Sequence, residues 1–291
     1  RLVAAGIAAL LAAVALGYGA WRLAAPATGS LRIGLVSLEK PIRPALDSAA
    51  GAALEARYIE AIRRLADAGA KVVVTPETSF ATTAATVPAF AALARQEGVT
   101  LDIGIDGKGD PHAERNMAMV FRPDADAPAT YSKHHLIPGF ERQYTPGRHY
   151  TLLDGSPRIG LAVCKDMDFH DVSRAYAQRG ARLLLVPAWD FGVDGWLHSR
   201  MAIMRGVENG FAIARAARSG RLTLSDDRGR VLAEASSETH DAERVGNLPL
   251  RDTHTVYARW GDWFAWLDLA LLAVLVFMAR PALRRRAGSA Q

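Results

Sequence analysis

The apolar residues of this chain fall into three regions. Two are nearly uncharged runs near the ends, residues 2–20 and 263–279, and between them apolar positions recur in shorter patterns over 30–256. In a helix that rises ~1.5 Å per residue, runs of this length approach the ~30 Å hydrocarbon core of a bilayer. The pattern predicts membrane helices over 1–24 and 260–280, on either side of a globular domain.

Both terminal runs have an ordinary alternative. The first resembles a cleaved signal peptide, since small residues continue to Ala27. We favour an anchor because residue 1 is Arg instead of Met, so we expect the chain to begin inside a longer product that can carry further membrane helices upstream. The second run is compatible with a soluble amphipathic helix, but Asp268 is its single charge, which disfavours that alternative.

The residues that flank the second run predict its orientation. Three tryptophans gather at its start, as in an interfacial belt: Trp260, Trp263 and Trp266. Arginines follow its end, at Arg280 and 284–286. Because cytoplasmic flanks carry the excess positive charge, we expect 281–291 to be a basic cytoplasmic tail. The domain between the helices then faces outward, which means the periplasm in a Gram-negative bacterium.

Residues 30–256 alternate strand and helix patterns. Apolar runs predict strands at 31–37, 71–75, 100–105, 117–121, 158–164, 181–187 and 211–217, and a hairpin from 222–225 and 231–233. Apolar spacings of three and four predict helices at 49–68, 89–97, 171–179 and 197–209. This alternation predicts one α/β domain with a largely parallel, helix-covered sheet.

Composition narrows the class of protein. With 291 residues, 50% hydrophobic and 22% charged, the chain is not disordered, and a single cysteine excludes a disulfide scaffold. Lys and Arg exceed Asp and Glu by 35 to 30, a balance too small and dispersed to indicate nucleic acid as a partner. The mean hydropathy of +0.04 is high for a soluble domain and fits apolar content concentrated in segments.

Three residues that follow predicted strands are candidates for chemistry: Glu77, Lys133 and Cys164. Each has an ordinary alternative, namely a loop acid, a solvated surface charge and a buried packing residue. Strand ends at one edge of an α/β sheet are where sites assemble. Together the three supply a base, a cation for an oxyanion and a nucleophile, which is the inventory for acyl transfer.

These residues lie in motifs that resemble those of the nitrilase (carbon–nitrogen hydrolase) superfamily. The motifs are Pro76-Glu77, the stretch Tyr-Ser-Lys-His-His-Leu-Ile-Pro at 131–138, and Val163-Cys164. Supporting matches are Asn116, 205–210, Gly220 and 227–232. The resemblance implies a four-layer αββα sandwich in which Glu77 is the general base, Lys133 steadies the oxyanion and Cys164 attacks a carbonyl.

The same resemblance implies an assisting role for Glu141, which follows Lys133 by eight residues; a surface carboxylate is the alternative. His134 and His135 are adjacent and point in different directions, so we predict no metal site. No cofactor is expected.

Within the superfamily, the chain is most similar to the apolipoprotein N-acyltransferases, because Tyr-Ala-Arg-Trp-Gly-Asp-Trp at 257–263 leads into the final apolar run. This resemblance implies an enzyme of the bacterial inner membrane. The acyl donor would be a phospholipid, the intermediate a thioester on Cys164, and the acceptor the N-terminal amine of a diacylglyceryl-cysteine lipoprotein.

Some features depart from that pattern. The stretch between Lys133 and Cys164 is short, and Lys165-Asp166 stands where the acyltransferases carry Tyr-Glu. We predict that Lys165, Asp166 and Trp189 line the substrate pocket, and that Lys165 lowers the pKa of the thiol. A membrane-tethered amidase of small substrates, or a scaffold without activity, are the rival hypotheses; the presence of all three candidate residues argues against the scaffold.

Overall fold

The computed structural model describes residues 2–109 and 113–288, with side chains up to Ala279. The predicted basic tail, 281–291, lies outside the residues whose side chains are described. Thirteen strands are described: β1 Gly29–Ser37, β2 Val72–Val74, β3 Phe80–Thr82, β4 Thr100–Gly107, β5 Arg115–Phe121, β6 Ala129–Ser132, β7 Leu152–Leu153, β8 Ile159–Leu161, β9 Leu183–Trp189, β10 Ala212–Arg218, β11 Arg221–Ser225, β12 Val231–Ser236 and β13 Ala242–Leu250. The helices are α1 Leu2–Ala24, α2 Ala49–Asp67, α3 Pro88–Glu97, α4 His170–Gln178, α5 Gly195–Asn209, α6 Val256–Trp260 and α7 Trp263–Gly288.

The strands form two sheets that pack face to face. One has the order β13-β1-β2-β4-β5-β6, with β3 also paired to β4, and the other has the order β12-β11-β10-β9-β8-β7. The sandwich has two hydrophobic cores, and alternate residues of β2 contribute to each. Val72 and Val74 pack in the core between the two sheets, while Val73 packs in the core beneath α2 and α3. This alternation follows from the two-residue period of a strand.

Helices cover both outer faces. Helix α2 presents Leu54, Tyr58, Ile62 and Leu65 to the first sheet at helical spacing, and its N-terminus is capped by Ser48, whose Oγ accepts from the Gly51 N–H at 3.0 Å. Helices α4 and α5 cover the second sheet. The result is a helix–sheet–sheet–helix sandwich.

The expectation of one largely parallel sheet is wrong. Parallel pairs form the middle of each sheet, β1–β2–β4 and β8–β9–β10. The margins β13–β1, β4–β5–β6, β7–β8 and β10–β11–β12 are antiparallel. The physical reason is that β4–β5, β7–β8 and β10–β11 are joined by short connections, whereas parallel neighbours need a longer crossover.

The predicted strand 158–164 is too long. Strand β8 ends at Leu161, and Cys164 begins a short 3-10 helix, Cys164–Asp168. The apolar run continues to Cys164 because Ala162 and Val163 are fully buried. The Val163 N–H is withdrawn from the sheet because it donates to the Asp166 carboxylate at 3.0 Å.

Helix α1 is, among the described residues, the one helix long and apolar enough to cross a membrane, and none of its residues is buried. The apolar part of α7, Trp263–Ala279, is shorter, so the second membrane helix stays a prediction. Arg22 at the end of α1 donates to the Asp227 carbonyl at 3.2 Å, and Arg228 donates back to the Leu23 carbonyl at 2.7 Å. These bonds tie α1 to the turn between β11 and β12.

Candidate active site

The three candidate residues each follow a strand at one end of the sandwich. Glu77 lies in the turn after β2, Lys133 directly follows β6, and Cys164 lies three residues after β8. Thr78 and Cys164 have φ of 46° and 44°, in the left-handed region that non-glycine residues rarely adopt. Such strain costs about 1–3 kcal/mol and clusters at functional sites. The strained backbone at Thr78 and Cys164 therefore lies in two of the turns that carry the sequence motifs.

A buried network joins Glu77, Lys133 and Glu141. The Lys133 Nζ donates to Glu77 Oε1 at 2.7 Å and to Glu141 Oε1 at 3.0 Å. The Asn116 amide donates to the same two oxygens at 2.6 Å each. Glu141 also accepts the Ile137 N–H at 2.6 Å, so the ordinary alternative of a surface carboxylate is wrong for this residue.

Lys133 is fully buried and stays positively charged. Burial by itself lowers the pKa of its ammonium group, but Glu77, Cys164 and Glu141 outweigh burial and raise that pKa overall. The alternative of a solvated surface lysine is therefore excluded. An ammonium group held between two carboxylates is positioned to stabilise a negative charge that develops beside it.

Cys164 is also buried, with 7% of its surface exposed, and its Sγ lies 3.5 Å from the Trp189 carbonyl oxygen. Burial raises the pKa of the thiol well above its usual range, and the Glu77 carboxylate raises it further. Lys133 and Arg215 oppose that rise. The resting Cys164 side chain is therefore a neutral thiol, and forming a thiolate there requires a base.

Asp166 does not line a pocket, contrary to the prediction. It is fully buried and accepts the Tyr131 hydroxyl at 2.8 Å and the N–H groups of Val163, His134 and His135 at 2.8–3.1 Å. One carboxylate thus holds the turn that carries Cys164 against the turn that carries Lys133. A lone Asp after a cysteine gave no sign of this bridging position.

A family model of carbon–nitrogen hydrolases matches residues 32–246, well over half of the chain. The chain belongs to the carbon–nitrogen hydrolase family. This confirms the resemblance inferred from the motifs.

Three comparisons place this hydrolase-family chain more finely. It is 29% identical to an apolipoprotein N-acyltransferase of Gloeobacter violaceus, over 98% of the chain and 60% of the relative. It is 30% identical to an omega-amidase of Homo sapiens, over 61% of the chain and 76% of the relative. A solved amidase from Nesterenkonia has a TM-score of 0.64 and 24% identity, covering 75% of the chain and 90% of the amidase, which shows the shared nitrilase-like fold. The chain spans less than two thirds of the Gloeobacter protein and of other apolipoprotein N-acyltransferases that it matches.

Two cavities of the hydrolase domain meet at Trp189. The first, of about 250 Å³, is lined by Glu77, Asn116 and Glu141 together with Arg43 and Tyr144. The second, of about 130 Å³, is lined by polar and charged side chains around the nucleophile: Cys164, Lys165, Asp168, Asp194, His198 and Arg215. Ile137, Trp189 and Phe191 border both. A larger groove of about 460 Å³ beside α2 and α3 contains none of the candidate residues, so we place the site at Trp189.

Lys165 and Trp189 do lie on cavity walls, as the pocket prediction expects. The predicted effect of Lys165 on the thiol stays a prediction. Its Nζ is paired with Asp168 Oδ2 at 2.9 Å, and the cations that act on Cys164 are Lys133 and Arg215. Lys165 therefore shares a cavity with Cys164, but its ammonium group is paired with Asp168.

The sequence motifs did not identify a buried ion pair whose arginine lines the same cavity as Cys164. Arg215, inside β10, donates to both carboxylate oxygens of Asp190 at 2.9 and 2.5 Å, and His198 lies 3.2 Å from the same carboxylate. Both pair members are almost completely buried. One indication of this pair was present in the sequence: Arg215 lies inside an apolar strand, and a buried charge needs a partner of opposite charge.

Proposed function

We propose that this chain is the catalytic part of a membrane-attached N-acyltransferase, which moves a fatty acyl chain from a phospholipid to the N-terminal amine of a lipoprotein through a thioester on Cys164. The family membership and the acyltransferase relatives support the class of reaction. The location would be the bacterial inner membrane, with the domain on its outer side.

The observation that carries the choice of a lipid substrate is an exposed apolar rim at the mouth of the two cavities. Phe140 and Phe191 border the first cavity with their rings 5.9 Å apart, yet are 73% and 55% exposed. Val193 and Trp196, which follow Phe191 in the chain, are also exposed. Exposed apolar patches of this kind mark lipid or protein contacts, whereas a small-amide hydrolase needs only an enclosed polar pocket.

In the first half-reaction, Glu77 takes the proton of the Cys164 thiol as Sγ bonds to the ester carbonyl carbon. Lys133 stabilises the resulting oxyanion. The carbon–oxygen bond of the ester then breaks, and the lysophospholipid leaves as an alcohol with the proton held by Glu77. The product is a thioester on Cys164.

In the second half-reaction, the α-amine of the lipoprotein attacks the thioester carbonyl. Its proton passes through Glu77 to Sγ as the carbon–sulfur bond breaks, which yields an amide and restores the thiol. Glu141 and Asn116 touch Lys133 or Glu77, so we assign them a positioning role.

The test is to incubate membranes that carry the chain with a phospholipid labelled in its acyl chain. Label on the protein should be released by hydroxylamine and should be absent from Cys164→Ala. A label that survives hydroxylamine, or one that persists in the variant, would contradict a thioester at this residue.

Hydrolysis of a small amide is the second candidate, because the omega-amidase relative shares this domain and polar groups line the first cavity. Release of ammonia from simple amides without labelling by any phospholipid would favour it over acyl transfer.

A further inference from the structure

Two arginines lie against the ring of Trp189, a residue that lines both cavities. The guanidinium carbon of Arg43 is 4.8 Å from the ring centroid, and that of Arg218 is 5.2 Å away. Arg43 also lines the cavity that contains Glu77. Two positive charges therefore flank one wall of the site.

Arg218 is a fully buried cation without a counter-charge. Its Nε and both Nη atoms have no hydrogen-bond partner among the described residues, and it forms no ion pair with any of them. Arg215, three residues earlier on the same strand, is as deeply buried but is bound on both carboxylate oxygens by Asp190. Arg218 therefore has an uncompensated positive charge among the described residues, and an anion that binds beside Trp189 would be attracted to it.

Arg43 also has no carboxylate partner among the described residues, and its side chain is more accessible than that of Arg218. Its described hydrogen bond goes from Nη1 to the neutral Tyr144 hydroxyl at 3.2 Å, and within residues 2–109 and 113–279 it meets no carboxylate in an ion pair. The two carboxylates that line the same cavity, Glu77 and Glu141, bind Lys133.

We infer that Arg43 and Trp189, which line the first cavity, form a subsite for a phosphate oxyanion, with the buried charge of Arg218 close to Trp189. Arg43 would bind the phosphate oxygens through its planar fork, and the charge of Arg218 would add to the positive field behind Trp189. Resting on the proposed function, the ligand is the phosphodiester of the phospholipid donor, whose ester carbonyl lies only a few bonds from the phosphate. The subsite would thereby direct that carbonyl toward Cys164.

The test uses the full chain in detergent and measures how fast iodoacetamide alkylates Cys164. Glycerophosphocholine, which carries the phosphodiester but no acyl chain, should slow alkylation in a saturable manner. Arg43→Gln should raise the half-protecting concentration at least tenfold. Arg63→Gln removes an exposed arginine of α2 that pairs with Glu97, and serves as the matched control that should leave protection unchanged.

Two more ligands separate the possible sources of the anion. Inorganic phosphate that protects as well as glycerophosphocholine would point to free phosphate as the occupant, and weaker protection would point to the headgroup. Glycerol should not protect. Protection by glycerol equal to that of the phosphodiester, or unchanged protection in Arg43→Gln, would overturn the subsite.

A thermal-shift measurement supplies a second readout. Glycerophosphocholine should raise the Tm of the unmodified chain, and this rise should be reduced in Arg43→Gln and in Arg218→Met. If Arg218→Met does not fold, Arg43→Gln decides the matter. Since neither assay requires acyl transfer, loss of the subsite and loss of the proposed function would be seen separately.

Discussion

At the scale of single residues, the protonation of Cys164 depends on charges that oppose one another. Burial and the Glu77 carboxylate raise the pKa of the thiol, while Lys133 and Arg215 lower it. Because the raising effects win, the thiol stays protonated unless a base takes its proton or the pH is high, and in the proposed mechanism that base is Glu77. Glu77 therefore has two proposed effects that can be measured separately. It accepts the thiol proton, and its negative charge raises the pKa of the Cys164 thiol.

Replacing Glu77 by Gln should separate those effects. Turnover should be lost, since the base is gone. Removing the negative charge should nevertheless lower the pKa of the Cys164 thiol, so that the pH at which iodoacetamide alkylation accelerates moves downward from its position above the usual thiol range. The measurement is the alkylation rate as a function of pH, set beside acyl labelling at fixed pH.

Glu97→Gln is the control, because it neutralises a half-buried carboxylate of α3 that pairs with Arg63 and belongs to neither cavity. It should leave both the alkylation profile and the labelling unchanged. Intact turnover in Glu77→Gln would mean that the assigned base is wrong.

At the scale of elements, the turn that carries Glu77 is held by strand β4. The Thr75 N–H donates to the Asp102 carbonyl at 2.9 Å, and the Ser79 N–H donates to the Gly104 carbonyl at 2.8 Å. A Cβ placed on Gly104 would lie 2.0 Å from the Pro76 carbonyl oxygen. Glycine at 104 is therefore what allows the turn to rest on the strand.

Gly104→Ala should displace this turn and with it Glu77. We expect a loss of about 1–3 kcal/mol in the free energy of unfolding, as for other overpacked sites, and a fall in turnover larger than the stability loss explains. Thermal unfolding and acyl labelling of the same preparation check this. Gly29→Ala, where a Cβ meets nothing within 4 Å, is the matched control. A destabilised variant with full turnover would show that Glu77 does not depend on this contact.

Elements with a strong local pattern were predictable, and those defined by distant partners were not. Helix α2 and strand β9 follow from apolar spacing. Strand β13, with Gly246, Asn247 and Pro249, lacks that pattern and exists because it pairs with β1 along nine positions across the chain. A single-sequence pattern does not record such a partner.

The residues of the candidate site likewise divide into those that the sequence could predict and those that it could not. Motifs predicted Glu77, Lys133 and Cys164 as candidates, because each lies next to a recognisable strand. The Arg215–Asp190 pair depends on the parallel register of β9 and β10, which brings residues 25 positions apart together. The bridging role of Asp166 likewise depends on the fold of two distant turns, so sequence spacing could not supply it.

At the scale of the whole molecule, both terminal helices attach to the layer formed by α4 and α5. Arg22 at the end of α1 lies 3.5 Å from the Val207 carbonyl of α5. Arg174 and Gln178 of α4 donate to the Ala258 carbonyl of α6, directly before α7. The same layer exposes apolar side chains on α5, namely Trp196, Leu197 and Met204. A bilayer crossed by both helices would therefore lie on the side of the domain that carries this layer.

The proposed membrane topology therefore depends on whether α7 crosses the bilayer. If α1 and α7 both cross, the ends of the chain lie on one side of the membrane and the domain on the other. The arginines at 284–286 favour the cytoplasm for that shared side. A fluorescent protein joined to the C-terminus in a Gram-negative host should then fluoresce, and alkaline phosphatase joined at the same residue should be inactive. Protease added to spheroplasts should cleave the domain but spare the reporter. Active phosphatase would instead mean that Trp263–Ala279 lies on the outer surface, leaving α1 as the membrane attachment within the described residues.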